Sequence, residues 1–401
     1  MKRVIFLAFF FFLLANVSAA KKPKKIESIP FEMVGSYVVV KVKINDSSPL
    51  NLILDSGVRN IIITELLEGD RVTLNYSDVK DLMGLGGGAH LNAFTSNFNT
   101  LKIGKLNLEH KTVYVLQEDA FNLTRQTGTK INGLLGVDFF QDYLVEINYT
   151  DRRIRFYDAD TFGKPTGYHM IPMTFEGKKM FIELSVFEAD SSKKKVKMLL
   201  DTGAELNAWF QSYSAGSVQV PAKTIRGTIG QGLNGIITGN YGCIPQICLG
   251  EFCLNNPIVS FPDSLSISEI VRSSRRDGTL GSQILSRFNL FIDYKHGLFY
   301  FKPNGNLKKP FRYNIAGIEV AQIIPFISQA EVMDVWENSP AELAGVQKGD
   351  QIMEINGRKT FVMNMQEIKS IFQSPSKIPL YLVLKRGDKE IEVKLDMRSR
   401  I

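Results

Sequence analysis

Two stretches of this chain end an apolar strand on the same kind of turn. Asn51-Leu52-Ile53-Leu54-Asp55-Ser56-Gly57-Val58 does so once, and Val196-Lys197-Met198-Leu199-Leu200-Asp201-Thr202-Gly203-Ala204 does so again. A carboxylate that follows a buried strand is costly unless something satisfies it. The glycine lets the chain turn sharply and brings backbone N–H groups close to the acid. The hydroxyl residue between them can lock the turn. A single Asp-[Ser/Thr]-Gly arises by chance in many chains, so the weight lies in what surrounds the pair.

The surroundings repeat. Before the first acid, residues 31–42 alternate like a strand. After it come Ile61-Ile62-Ile63-Thr64, the glycine-rich Met83-Gly84-Leu85-Gly86-Gly87-Gly88-Ala89, and a hairpin at 101–108 turning on Gly104-Lys105. Gly133-Leu134-Leu135-Gly136 and two closing strands, 143–149 and 153–157, complete the segment. The second segment replays this order. It has a strand at 180–187, glycine-rich Gly227-Thr228-Ile229-Gly230-Gln231-Gly232, a hairpin at 247–254, Gly278-Thr279-Leu280-Gly281, and strands at 290–294 and 298–301. Gly136 lies 81 residues after Asp55, and Gly281 lies 80 after Asp201; Gly86 and Gly232 each lie 31 after their acid. This is an internal duplication. It predicts two similar β lobes about a pseudo-two-fold axis, each with one carboxylate at the interface.

The two acid turns resemble the active-site signature of the aspartic proteases, of both the pepsin and the retropepsin kind. The two Gly-x-Leu-Gly segments resemble the motif that supports the catalytic loop in that family. The resemblance spans roughly residues 28 to 305. It implies a mostly β fold, with two duplicated retropepsin-like lobes (28–160 and 161–308) forming a pepsin-like bilobed unit. It also implies Asp55 and Asp201 as a catalytic dyad, with Ser56, Gly57, Thr202 and Gly203 supporting the loops. The pepsin-type flap carries a tyrosine, which Gly84-Leu85-Gly86-Gly87-Gly88 lacks. Flaps of the retropepsin kind are therefore expected at Gly84, Gly86 and Gly87 and at Gly230 and Gly232. No cofactor or metal is expected. Arg59 is unusual after an acid turn. It either points to solvent or faces Asp55, where it would lower that pKa.

Residues 311–398 do not repeat the lobes. Trp336-Glu337-Asn338-Ser339-Pro340-Ala341-Glu342-Leu343-Ala344-Gly345 reads as a strand, an N-cap at Ser339, a short helix from Pro340 and a glycine stop. Lys348-Gly349-Asp350-Gln351-Ile352-Met353-Glu354-Ile355-Asn356-Gly357 reads as turn, strand and turn. This resembles a small α+β PDZ domain of the bacterial protease-associated type. PDZ domains bind peptide C-termini by strand addition. The resemblance implies a carboxylate loop at Gly317, Ile318, Glu319 and Val320, with Ile368 on the helix beside the groove. The alternative is a PDZ fold that only packs on the lobes.

The first twenty residues have a different character. Lys2-Arg3 leads into a Phe-rich apolar run ending at Leu14, followed by Val17-Ser18-Ala19-Ala20. This is the pattern of a signal peptide over 1–20. A membrane anchor is the alternative, for which the run is short. The chain is then expected to be periplasmic or secreted, with no membrane span after cleavage. The formal net charge is +7, two of it from Lys2 and Arg3. No basic patch is interleaved with aromatics, so no nucleic-acid partner is expected. Cys248 and Cys253 face each other if Gly250-Glu251 is a hairpin turn, and export favours a disulfide there over a metal site. That leaves Cys243 free. No His-Glu-x-x-His and no Gly-x-Ser-x-Gly supports a rival hydrolase chemistry. The reading is an exported, monomeric aspartic endopeptidase acting on polypeptides, its PDZ domain binding peptide C-termini or gating access. The alternative is a non-catalytic PDZ peptide-binding protein on a retropepsin-like scaffold.

Overall fold

The computed structural model describes residues 25–88, 90–212, 217–267 and 274–401. The expected leader at 1–20 lies outside the described residues. The chain is mostly β, in three sheets. At the centre six strands run in the order Lys25–Pro30, Arg153–Tyr157, Leu144–Asn148, Phe288–Asp293, Leu298–Pro303, His169–Glu176. The first three belong to the first lobe and the last three to the second. They meet antiparallel, with Leu144 opposite Asp293 and Ile147 opposite Leu290. The pseudo-two-fold axis passes through this seam. One hydrophobic core runs through both lobes, from Val38, Val40 and Leu54 to Met198, Leu200 and Phe299.

Each acid strand is held the same way. Leu50–Leu54 runs parallel to Gly133–Leu135, and Lys193–Leu200 runs parallel to Gly278–Leu280. Asp55 N donates to Leu135 O at 2.9 Å, and Asp201 N to Leu280 O at 3.1 Å. The glycines that open the two motifs share one cause. A Cβ on Gly133 would lie 2.0 Å from Ile62 O, and one on Gly278 would lie 2.0 Å from Trp209 O.

The expected single strand over 31–42 is corrected. It breaks into Glu32–Val34 and Tyr37–Ile44, with Val34 pairing Tyr37 around Gly35 (φ +60°) and Ser36. The second lobe does the same, with Glu176 pairing Lys179 around Gly177 (φ +59°) and Lys178. A two-residue turn adds an even number of positions, so the alternation of buried residues runs through it and hides it. Val34, Val38, Val40 and Val42 are all buried.

The hairpin Gln246–Leu249 and Phe252–Asn255 turns on Gly250 and sets Cys248 opposite Cys253; the two form a disulfide, and Cys243 is free. Among the described residues no helix is long and apolar enough to cross a membrane.

The C-terminal domain has its own core and its own sheet, in the order Ile318–Gln322, Ala330–Val335, Gln351–Ile355, Leu380–Arg386, Lys389–Leu395. Ile318–Gln322 is an edge strand. Ser339 caps the short helix Pro340–Leu343 through Glu342 N, and Asn364 caps Met365–Phe372 through Glu367 N.

Gly133→Ala should lower stability by about 1–3 kcal/mol or more, because the added methyl meets a backbone carbonyl that cannot move aside. Thermal melts of the purified variant check this.

Candidate active site

The turns after the two acid strands face each other across the pseudo-axis and are cross-braced. Ser56 Oγ donates to Leu200 O at 2.7 Å and accepts from Thr202 N at 3.0 Å. Thr202 Oγ1 donates to Leu54 O at 2.7 Å and accepts from Ser56 N at 3.1 Å. Each hydroxyl therefore locks the opposite lobe's turn rather than its own. Within each turn one carboxylate oxygen accepts from the glycine, Asp55 Oδ1 from Gly57 N at 2.8 Å and Asp201 Oδ1 from Gly203 N at 3.1 Å. The glycines also lie against the other lobe's acid. A Cβ on Gly57 would sit 2.5 Å from Asp201 Oδ2, and one on Gly203 would sit 2.2 Å from Asp55 Cγ. No other residue leaves room for the two carboxyls to meet.

Both acids titrate high. Burial raises Asp55 most, and the charge of Asp201 adds to it; Gly57 N–H and Lys179 oppose the shift. Burial also raises Asp201, against Lys179, Gly203 N–H, Arg276 and a hydrogen bond with Asp55. Two carboxyls that raise each other's cost of ionising titrate as a pair. The cations of Lys179 and Arg276 favour the negative charge on Asp201. Among the described residues no group of His, Cys, Asp and Glu could hold a metal ion.

A carboxyl whose pKa rises on folding holds a proton in the native state that the unfolded chain has already lost. Stability therefore falls as pH climbs above the ordinary Asp value of about 4. Asp55→Asn removes that linkage. Thermal melts from pH 5 to pH 8 should show the wild type losing more stability than the variant.

Above the acids lies a cleft of about 1180 Å³, lined by both lobes and the C-terminal domain. Two hairpins cover it: Tyr76–Leu82 with Leu91–Ile103, and Thr224–Gly232 with Gly235–Cys243. Their tips meet on Asn234, which is 4% exposed. Asn234 N donates to Leu85 O at 2.8 Å, Asn234 O accepts from Gly88 N at 2.6 Å, and its side-chain oxygen accepts from Gly84 N. Gly86 and Gly232 lie in the same contact; a Cβ on either would come within 2.3 Å of the opposite tip's backbone. Gly87 and Gly230 do not take part. A Cβ on Gly87 would meet only Leu265 O, at 3.5 Å, and one on Gly230 would meet nothing within 4 Å.

The crossed hydroxyls, the paired acids and the two flaps together point to one family. Residues 40–139 match the family model for aspartyl protease. That span holds Asp55 and the first flap, and the second lobe repeats its geometry around Asp201. Residues 331–386 match the family model for the PDZ domain. No curated protein matches the chain.

The PDZ domain does not stand apart from the protease lobes. Trp336 stacks on Tyr241 of the second flap, with ring centroids 5.1 Å apart and planes at 14°. A Cβ on Gly227 would lie 2.3 Å from the same indole. Thr228 Oγ1 donates to Asp334 Oδ2 at 2.9 Å, and Ile225, Tyr241 and Ile258 pack on the PDZ core. On the first lobe, Arg125 Nε donates to Gln322 O at 2.7 Å, on the edge strand, and Arg125 pairs with Glu331 at 3.7 Å.

In the expected carboxylate loop two of the backbone donors are turned inward. Gly317 N and Ile318 N donate to Asn314 Oδ1 at 3.0 and 3.4 Å, and Ala316 N donates to Phe372 O at 3.1 Å. Glu319 accepts from Asn314 Nδ2 at 3.2 Å and Trp336 Nε1 at 3.1 Å, and burial raises its pKa. Ile318, Val320 and Ile368 are buried in the PDZ core. The motif's spacing carried no sign that an asparagine would fill the loop.

Arg59 is exposed on the cleft wall, and its charge adds to the burial that lowers the pKa of Lys179. Sequence reasoning missed Tyr37, Lys179, Glu205 and Arg276, all of which line the cleft. The duplication held the signal for three of them. Tyr37 and Lys179 follow the two hidden glycine turns, and Glu205 stands four residues after Asp201 as Arg59 does after Asp55.

Trp336→Ala should loosen the second flap. Hydrogen exchange should quicken across residues 224–243 more than across the first flap.

Proposed function

We propose that this protein is an aspartic endopeptidase that acts on polypeptides after export, as a single chain. One observation carries the reading: Asp55 and Asp201 face each other in equivalent turns locked by each other's hydroxyls. The pair holds a water and shares one proton. Asp201, favoured for the charge by Lys179 and Arg276, takes a proton from the water as it attacks the peptide carbonyl. Asp55 carries the shared proton and donates it to the developing oxyanion, and a proton then passes to the leaving amine. The closed flaps exclude bulk water from the reacting atoms. Both acids come from one chain, so no second copy is needed. The leader sequence and the Cys248–Cys253 bridge support an oxidising compartment.

The PDZ domain acts here as a gate rather than as a reader of free C-termini. The filled carboxylate loop and the packing of Trp336 on the second flap support this. The same filled loop weighs against a protein whose only task is peptide binding through this domain.

Asp55→Asn and Asp201→Asn should each lower kcat on casein by at least ~10²–10³. The double variant should be little worse than either single one, because half a dyad does no work alone. Activity should follow a bell in pH, with its upper limb displaced toward neutral by the raised pair. Folded variants that cleave at near wild-type rates would overturn the reading.

A further inference from the structure

Tyr37 begins the strand that pairs with the first acid strand. Val39 lies opposite Ile53 and Val40 opposite Leu52, and the same register carried to the end of the ladder sets Tyr37 opposite Asp55. Opposed residues share a face of a sheet, and both side chains line the cleft. The ring packs on the apolar cluster that holds Val34, Val39 and Ile53.

The hydroxyl serves no such structural end. Tyr37 Oη makes no hydrogen bond among the described residues, to either acid or to any other group. It is not enclosed either, as the hydroxyl of Tyr149 is. Two other tyrosines of the cleft have theirs engaged: Tyr241 Oη donates to Thr228 O at 2.8 Å, and Tyr313 Oη accepts from Arg400 N at 2.9 Å. Burial raises the pKa of Tyr37 well above that of an ordinary phenol, and the charges of Glu205, Asp55 and Asp201 add to this. The group therefore keeps its proton and remains a neutral donor beside the dyad.

The turn that carries Tyr37 is clamped from the other lobe. Ser36 N donates to Glu205 Oε1 at 2.9 Å, Ser36 Oγ meets Ser282 Oγ at 2.7 Å, and Ser282 Oγ donates to Ala204 O at 2.8 Å. Ala204 and Glu205 lie just beyond the second acid turn. One lobe supplies the phenol and the other fixes its place relative to both acids. Lys179 holds the equivalent position, opposite Asp201 by the register of Phe181 with Leu199 and Ile182 with Met198. There the group is a cation, and the negative charge of the dyad answers it. Tyr37 has no such counterpart.

In the free protein solvent satisfies a donor of this kind. A substrate that fills the cleft expels that solvent, and a donor left unpaired costs binding. Side chains differ from one substrate to the next, but every extended chain brings a main-chain carbonyl at each residue. We propose that Tyr37 Oη donates a hydrogen bond to a main-chain carbonyl of the substrate on one flank of the scissile bond, and so sets the register of the chain over Asp55 and Asp201. This rests on the aspartic-protease reading. It makes the hold on that flank independent of the side chain that sits there.

The test uses the full-length protein and a casein-derived peptide that it cleaves. Tyr37→Phe keeps the ring and removes the donor. kcat/KM should fall by roughly three- to tenfold, chiefly through KM, with the melting temperature unchanged. An unaltered kcat/KM overturns the proposal. The peptide is then remade with one backbone amide at a time, of the two on either side of the cleaved bond, replaced by a rigid alkene that removes its carbonyl. At one position wild type and Tyr37→Phe should cleave the alkene peptide alike. A penalty that persists for every alkene peptide overturns the proposal, as does one that only moves the pH profile of all of them together, since the phenol would then act on the dyad. The ester at the same position keeps the carbonyl and drops the N–H, and should still feel the loss of the hydroxyl; an ester that behaves like the alkene overturns the assignment. The labelled peptides are also titrated by fluorescence anisotropy against Asp55→Asn, with and without Tyr37→Phe, where the same position should decide whether the hydroxyl matters. Cleavage that survives Asp55→Asn sinks the protease reading, while this affinity comparison still decides the role of Tyr37.

Discussion

Four hydrogen bonds between two hydroxyls and the opposite lobe's backbone decide how far apart the two acids sit. Ser56 and Thr202 are almost fully buried, at 0% and 1% exposed. Their partners, Leu54 O and Leu200 O, belong to the last residues of the acid strands. Losing either hydroxyl would strand a buried carbonyl and a buried amide together, which costs more than a surface hydrogen bond returns. Below the flaps the lobes are joined by this grip at the floor of the cleft and by the antiparallel seam of the central sheet, among other contacts. Both contacts hold the acid turns in register beneath the flaps.

How much of this was legible in the sequence follows from which features leave a periodic mark. The acid turns, the Gly-x-Leu-Gly supports and the flap glycines repeat at nearly constant offsets, so the duplication exposed them. The glycine turns at Gly35 and Gly177 stayed hidden because an even-length turn does not disturb an alternating strand. With them went Tyr37 and Lys179. Asn234 ties the two flap tips together through its backbone and its side-chain oxygen, across residues far apart in the chain. No local pattern announces such a contact, since it exists only once the segments are brought together. Arg59 was singled out as odd, yet its neighbour is set by the lobe interface and could not be read from its own stretch.

Duplication followed by divergence explains the mixed character of the cleft. A symmetric dimer would present the same wall to both ends of a substrate. Joining the halves in one chain lets each wall change independently. The change is concentrated at the positions nearest the dyad, Tyr37 against Lys179 and Arg59 against Glu205, while the turns that carry the acids remain alike. Backbone geometry is held at the acid turns, and side-chain charge differs along the cleft walls beside them.

The stacking of Trp336 on Tyr241 makes the two flaps mechanically unequal. One hairpin is bolted to a separate folded domain with its own core, and the tip of the other is tied to Asn234 and to Ser266 of the second lobe. A cleft with one fixed rim and one hinged rim opens from a single side. A bulky folded surface approaching from the bolted side meets a wall, whereas a loose strand can slip under the hinged rim once the hydrogen bonds at Asn234 and Ser266 give way. Under the proposed function, entry is thereby a filter on the physical state of the substrate, screening for slack chain before any side chain is read.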